Sequence, residues 1–375
     1  VKLNNNGVGQ VISKGIADNS FPGACWAYGT SLEQEVGAMG HFTYSNGSPL
    51  VSIETLWDLA SLTKVIATTS VAMVLYDKNE LNLYQPIAEL LPEFGVNGKE
   101  HITPLHLLYH CSGLVAFRDY ELNYSTPDEV IKAILSEPID LPIGKYNYSD
   151  LNFIILARYF EQIRHTSFDQ IVSDLISRPF GLGQMMFCPG LDAKVICAPT
   201  ERINSWRVRF HEIRGDAVDR FAFKDESGMD LIQGEVHDER ALALGGIAGH
   251  AGLFSTIADL TRFTQALLTG CDGVISNSTK QLFTDRQKTP NLDREKSSRL
   301  LGWDGNFGDE PSSAGTMFSP SSFGHTGFTG TSIWIDPIKD KFAILLTNRV
   351  CPTRENLGII ELRKEFANAS ATAFE

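Results

Sequence analysis

β-prone runs sit at the two ends of this chain, with helical periodicity between them, and that arrangement limits the folds open to it. Residues 22–44 read as a hairpin: Pro22-Gly23 makes a turn, Ala24-Cys-Trp-Ala-Tyr is β-prone, and 36–44 is the return strand. The runs 323–337 and 341–348 are β-rich and separated by the Asp336-Pro337 turn signal. Spacing of apolar residues predicts helices over 61–78, 103–110, 127–136, 150–165, 168–177 and 256–268, with a last one over 355–374. Thr103 is placed to cap the second, with Pro104 at its first helical position. Pro179 ends the helix over 168–177 by restricting Arg178. The polar, charged stretch 199–233 reads as a long loop. Strands this far apart in sequence share a sheet only if the chain ends meet. The expected class is therefore α/β (α+β), an antiparallel sheet from N- and C-terminal segments flanked by helices, with an inserted mainly helical region. The expected division is 1–84 plus 245–375 for the sheet domain and 85–244 for the helical insert, with the active site at their interface.

Composition narrows the partners. The chain has 375 residues, 43% hydrophobic and 21% charged, enough for a sizeable core. A net charge of −13 argues against nucleic acid as a partner, because phosphate binding needs a basic face. The most apolar window, 65–76, is too short to span a bilayer, so no transmembrane segment is expected. Cys25, Cys111, Cys188, Cys197, Cys271 and Cys351 include no C-x-x-C pair and read as buried thiols. Cys188 and Cys197 are the pair that could close a loop. The chain starts at Val1 with no leader visible, so the compartment is not legible there.

Chemistry concentrates in three places. In Ser61-Leu62-Thr63-Lys64 a hydroxyl and an amine stand three residues apart. Residues i and i+3 of a helix share a face, so Lys64 can reach Ser61, and a serine needs such a neighbour to become a nucleophile. Tyr148-Ser149-Asp150 lies between a Gly-containing loop and a helix. A phenol presented there beside a cationic lysine has its pKa depressed and can accept the serine proton. The third place is Gly324-His-Thr-Gly-Phe-Thr-Gly330, read as a Gly-rich strand. Glycines in a strand suit close approach of a ligand or another backbone. The N–H groups of Phe328 and Ser61 are candidate oxyanion donors.

Together Ser61-x-x-Lys64, Tyr148-x-Asp150 and His325-Thr326-Gly327 resemble the three ordered motifs of serine β-lactamases and penicillin-binding proteins. The tyrosine and the His-Thr-Gly are most similar to the class C β-lactamase-related hydrolases, which include DD-peptidases, D-aminopeptidases and esterases. The segments Ile102-Thr-Pro-Leu-His-Leu-Leu-Tyr-His-Cys-Ser-Gly-Leu and Gly249-His-Ala-Gly-Leu-Phe-Ser-Thr-Ile-Ala-Asp-Leu add to the likeness. The resemblance implies a serine hydrolase in which Ser61 is acylated by an amide or ester and Lys64 and Tyr148 share the general-base work. In it His325 stands near the substrate carboxylate, Thr326 and Gly327 line the substrate, and water releases the acyl group. The expected substrate is a cell-wall-type D-amino-acid peptide or a small ester. A class C-like β-lactamase, or a penicillin-binding sensor with little turnover, is the alternative. Family habit points to the periplasm or cell envelope, with the cytoplasm as the alternative.

Two positions depart from the pattern. Asp150 replaces the usual Asn; an ionised carboxylate only accepts hydrogen bonds, so it suits an amine or hydroxyl, or simply pairs with Lys64. His325 replaces the usual Lys, which makes anion anchoring pH-dependent near its reference pKa of about 6.5.

Of the remaining candidates, Arg349 follows the last strand, where a substrate carboxylate could be held. His106 and His110 have an i, i+4 spacing but no third ligand, so they read as structural and neither metal nor cofactor is expected. His237-Asp238-Glu239 with His250 reads as a loop anchor, with substrate contact as the other option. Arg202, Arg207, Arg209 and Arg214 read as a solvated face. Trp303 is a cleft wall or packing. The expected partner is a small-molecule or peptide substrate; the oligomeric state is not legible.

Overall fold

The computed structural model describes residues 7–120, 123–124, 126–215, 221–290, 298–307 and 312–373. The two ends of the chain do meet. The main sheet contains β1 (Gly23–Gly29), β2 (Gln34–Gly40), β3 (Asp304–Gly305), β4 (Phe323–Thr326), β5 (Ser332–Asp336) and β6 (Lys341–Thr347). Their spatial order is β2-β1-β6-β5-β4-β3, and all neighbours are antiparallel. β1 pairs with β6 from Ala24 opposite Thr347 to Gly29 opposite Phe342, so the N-terminal hairpin is locked onto the last strand.

Alternation along these strands sends side chains to two cores. On one face Ala24, Tyr28, Trp334, Ala343 and Leu345 pack with Val8 and Ile12 of the helix Gly7–Ala17 and with Leu362 and Phe366 of the helix Ile359–Thr372. On the other face Cys25, Ala27, Ile333, Ile344 and Leu346 join a large core that runs into the helices Ser70–Asp77, Asp150–Arg164 and Ile257–Thr269.

Most predicted helices form where spacing placed them, including Pro127–Ser136 and Pro104–Leu108 with Thr103 as its cap. Three readings change. The run 323–337 is two strands: Gly327 to Thr331 reverses the chain, with Thr331 C=O accepting the Gly327 N–H at 2.8 Å and Gly330 at φ 111°. The stretch 199–233 is not a plain loop. It holds the helix Ser205–Arg214 and a short hairpin, Ala222–Lys224 with Asp230–Ile232. Asn204 caps that helix through Arg207 N–H, and Gly215 ends it in the left-handed region, so both stop signals are present in the sequence. Finally, Arg207 is not on a solvated face: it is 1% exposed and ion-paired with Glu235, whereas Arg202, Arg209 and Arg214 are exposed.

None of the six cysteines forms a disulfide, Cys188 and Cys197 included, and all but Cys188 are buried. Among the described residues no helix is long and apolar enough to cross a membrane.

Candidate active site

Ser61 sits at a bend forced by the residue before it. Ala60 has φ 46°, a left-handed conformation that costs a non-glycine residue roughly 1–2 kcal/mol. The buried Asp58 carboxylate stabilises the bend by accepting the Ala60 N–H at 2.8 Å, and it accepts the His237 N–H at 2.7 Å. From there the chain enters a π-helical turn, Lys64–Thr69, continued by Ser70–Asp77. This brings Lys64 Nζ within 2.8 Å of Ser61 Oγ. The Tyr148 hydroxyl is 3.4 Å from the same oxygen.

Lys64 is fully buried, yet it is paired. Asp150 Oδ1 is 2.7 Å from its Nζ, and the His250 carbonyl accepts from it at 3.3 Å. Burial alone would lower the Lys64 pKa; the charges of Asp150 and Tyr148 reverse this and raise it. Burial likewise pushes the Asp150 carboxyl up, and Lys64, His250 and Arg240 together bring it below its ordinary value. The second Asp150 oxygen accepts from Arg240 at 2.6 Å. Both carboxylate oxygens are thus engaged by cations of the protein: of the two options open to Asp150, pairing with Lys64 is the one the structure shows, rather than an oxygen left for a substrate amine.

Tyr148 is aimed by what lies beneath it. His110 stacks on its ring at 4.5 Å, and His110 Nδ1 accepts the Ser149 N–H at 3.1 Å. Burial, then Arg299 and Lys64, holds His110 well below the usual histidine value. His106 receives the Thr103 N–H on Nδ1 at 3.1 Å, so the two histidines serve a helix cap and a tyrosine floor.

The β4–β5 turn leans on the nucleophile bend. Thr329 Oγ1 donates to Asp58 C=O at 2.8 Å and Thr331 Oγ1 to Leu59 C=O at 3.0 Å. A side chain at Gly327 would strike Thr331 Oγ1 and come within 2.5 Å of the Leu59 carbonyl. Ser61 and Phe328 both line the cleft, and among the described residues neither backbone N–H donates to a protein acceptor.

His325 lies in the cleft with Thr326 and Gly327, between Tyr148 and Arg299. Its Nδ1 faces the Thr326 carbonyl at 2.8 Å, so Nδ1 carries the hydrogen and Nε2, 3.4 Å from Arg299, is the acceptor. Burial pushes the imidazole down to about 4; Asp304 opposes this, and Arg299 and Lys64 add to it. The expected titration near 6.5 therefore does not occur. The fixed positive charge at this end is Arg299, which is paired with Asp304, donates to Tyr146 at 3.1 Å and lies 5.0 Å from the Tyr148 ring centroid. Sequence reading did not nominate Arg299, because it stands outside every motif.

Arg349 is directed at the backbone. Its Nε donates to Phe328 C=O at 2.8 Å and its guanidinium covers the Phe328 ring at 4.4 Å, so it braces the β4–β5 turn. The His237–Glu239 cluster is both an anchor and part of the cleft wall: His237 binds Glu201 at 3.0 Å and stacks on Phe328, and Glu239 pairs with Arg354. Trp303 is buried against Phe323 and is packing. The ligand atoms of Asp150, Asp238 and His250 lie within 4.8 Å of one another, a spacing that could hold a cation. Arg240 and Lys64 already bind these carboxylates, so the charge a metal would supply is in place. The cleft around these groups encloses about 710 Å³, room for a peptide-sized ligand.

The family model described as Beta-lactamase matches residues 8–367. A protein of Escherichia coli (strain K12) named "Putative D-alanyl-D-alanine carboxypeptidase" is 30% identical over 316 residues, 79% of this chain and 69% of that one. Among solved structures, EstCE1, described as a hydrolase with promiscuous acyltransferase activity, superposes with a TM-score of 0.71 at 19% identity, covering 97% of each chain. A class C beta-lactamase gives 0.73 at 17% identity, covering 98% of this chain and 96% of that one. At such identities the structural likeness concerns the fold.

Proposed function

We propose, for a chain that belongs to the beta-lactamase family and is a serine hydrolase, that Ser61 is acylated by the penultimate residue of a short peptide ending in a free carboxylate, of the D-amino-acid type. The observation that carries this reading is Ser61 Oγ held between Lys64 Nζ and the Tyr148 hydroxyl, with Arg299 fixed at one end of the same cleft.

Ser61 Oγ attacks the carbonyl carbon while its proton passes to the oxygen of Tyr148, which acts as a phenolate and becomes a neutral phenol. The Lys64 ammonium stabilises that phenolate before the transfer. The tetrahedral oxyanion is received by the Ser61 and Phe328 N–H groups. The C–N bond then breaks, and Tyr148 returns the proton to the departing amine. Water attacks the ester by the reverse route, with Tyr148 again taking the proton. Arg299 offers the leaving residue's carboxylate a permanent charge, with Thr326 as a hydroxyl partner. His325, neutral above about pH 4, accepts rather than anchors. The name borne by the Escherichia coli relative supports the same substrate class. On this reading the site lies where the sheet region, 1–84 plus 245–375, meets the helical insert, and the enzyme works in the periplasm or cell envelope.

A small ester fits the same machinery. A sensor that acylates but hydrolyses slowly is the second reading, favoured by the tight Lys64–Asp150 pair. The deciding experiment compares a peptide ending in D-Ala-D-Ala, a p-nitrophenyl ester and a chromogenic β-lactam. Sustained release of D-Ala supports the proposal. Steady ester turnover with no D-Ala release favours an esterase, and a β-lactam burst without turnover favours the sensor.

A further inference from the structure

A closed ring of polar contacts runs through the catalytic lysine. Asp150 Oδ1 is 2.7 Å from Lys64 Nζ, and its Oδ2 accepts from Arg240 Nη2 at 2.6 Å. That Arg240 nitrogen is 3.9 Å from Asp238 Oδ2. Asp238 Oδ1 is 2.9 Å from His250 Nε2, and the His250 carbonyl returns to Lys64 at 3.3 Å. Lys64 and His250 are buried, Arg240 is 7% exposed, and the Phe117 ring lies 4.6 Å from the Arg240 guanidinium. None of the three active-site motifs contains Arg240, Asp238 or His250.

We infer that Arg240 is a positioning residue, which keeps Asp150 ionised beneath Lys64 and so keeps the lysine Nζ at Ser61. This rests on the acyl-enzyme reading of Ser61. A buried carboxylate favours its neutral form unless opposite charges hold it ionised. Asp150 has two such charges in direct contact, Lys64 and Arg240, with His250 beyond them and Asp238 opposing. Tyr148, His110, His325 and Arg299 complete the titratable and charged groups around the lysine and tyrosine. Without Arg240, two carboxylates share one ammonium and the histidine. Asp150 then takes up a proton at higher pH. A neutral Asp150 no longer draws Lys64, and the serine loses its fixed partner.

The sign follows. An opposite charge lowers a carboxyl pKa, so removing it raises the pKa and moves the acid limb of activity upward. Removing Asp238 instead leaves Arg240 wholly to Asp150 and moves the limb downward. Asn is as good an N-cap as Asp for the helix Glu239–Ala243, so Asp238→Asn preserves that structure.

The test is the pH dependence of fluorophosphonate labelling of Ser61 and of p-nitrophenyl acetate turnover, each normalised to the variant's own plateau. Arg240→Gln should bring the acid limb into a range where the wild type is flat, losing about tenfold one pH unit below its new midpoint. Arg240→Lys should restore most of the shift, and Asp238→Asn should displace the limb the other way. In an Asp150→Asn background, Arg240→Gln should add no further displacement. The inference is overturned if Arg240→Gln lowers both rates by one factor at every pH, or if its shift survives in that background. Should Arg240→Gln not fold, Asp238→Asn decides alone: a limb that moves up or stays put contradicts the ring. A wild type whose Ser61 never labels would instead remove the acyl-enzyme reading itself.

Discussion

Gly327→Ala tests the proposal that the β4–β5 turn delivers an oxyanion donor, the Phe328 N–H. Gly327 is not in a left-handed conformation, so the effect of a methyl group there is one of space. The new Cβ would meet the Leu59 carbonyl oxygen at 2.5 Å, where an ordinary contact begins near 3.4 Å. It would also collide with Thr331 Oγ1, which itself donates to that carbonyl. Leu59 is backbone two residues before Ser61 and is held by Leu253, so the turn carrying Phe328 has to give, by most of an ångström. A displacement of about 1 Å at reacting groups costs on the order of 10²-fold, and loss of one oxyanion donor about 10²–10³-fold, or roughly 3–4 kcal/mol of transition-state stabilisation. Steady-state and burst kinetics with p-nitrophenyl acetate should show kcat reduced by about 10²–10³ with KM changed far less. Overpacking should also cost about 1–3 kcal/mol of stability, read from urea unfolding. A Gly327→Ala enzyme with kcat within about threefold of wild type would falsify the close approach of this turn to the nucleophile bend.

Two further outcomes follow from the other end of the cleft. Arg299→Gln should cost carboxylate-terminated peptides at least about tenfold more in kcat/KM than neutral esters, as loss of a charged partner does; an equal loss for both would remove Arg299 as the anchor. His325 is held neutral to about pH 4, whereas an unfolded histidine takes its proton near 6.5. The depressed value contributes stability that is complete above pH 6.5 and is lost as pH falls towards 4, on the order of 3 kcal/mol. Urea unfolding at pH 7 and pH 4.5 should show a smaller difference for His325→Gln than for the wild type; an equal difference would contradict the burial assigned to His325.

Motifs whose partners are near in sequence were legible. Ser61 and Lys64 meet because three residues of helix bring them together, and Tyr148 stands at a loop-to-helix junction that Ser149 caps through Leu151. The sheet was legible because β1 and β6 carry β-prone residues in a pattern that only a meeting of chain ends could satisfy. The contributions of Arg299 and Arg240 were not legible. Each reaches the site from a loop or short helix remote from the motifs, and its significance depends on Asp304 or Asp150 being within hydrogen-bond reach. His325 was misread for a related reason: its residue type suggests titration near neutrality, but its burial against Arg299 decides otherwise. The helix Ser205–Arg214 was hidden by its charge. Its apolar face is narrow, and Arg207 and His211 are buried by pairing with Glu235, a residue outside the helix.

The most direct test of the account is mass spectrometry of the protein quenched during turnover of a D-Ala-D-Ala peptide, followed by proteolysis. The account predicts an acyl adduct on the peptide containing Ser61, with mass equal to the substrate less its terminal D-Ala, and no adduct in Ser61→Ala. An adduct on any other residue, or D-Ala release that persists in Ser61→Ala, would contradict it.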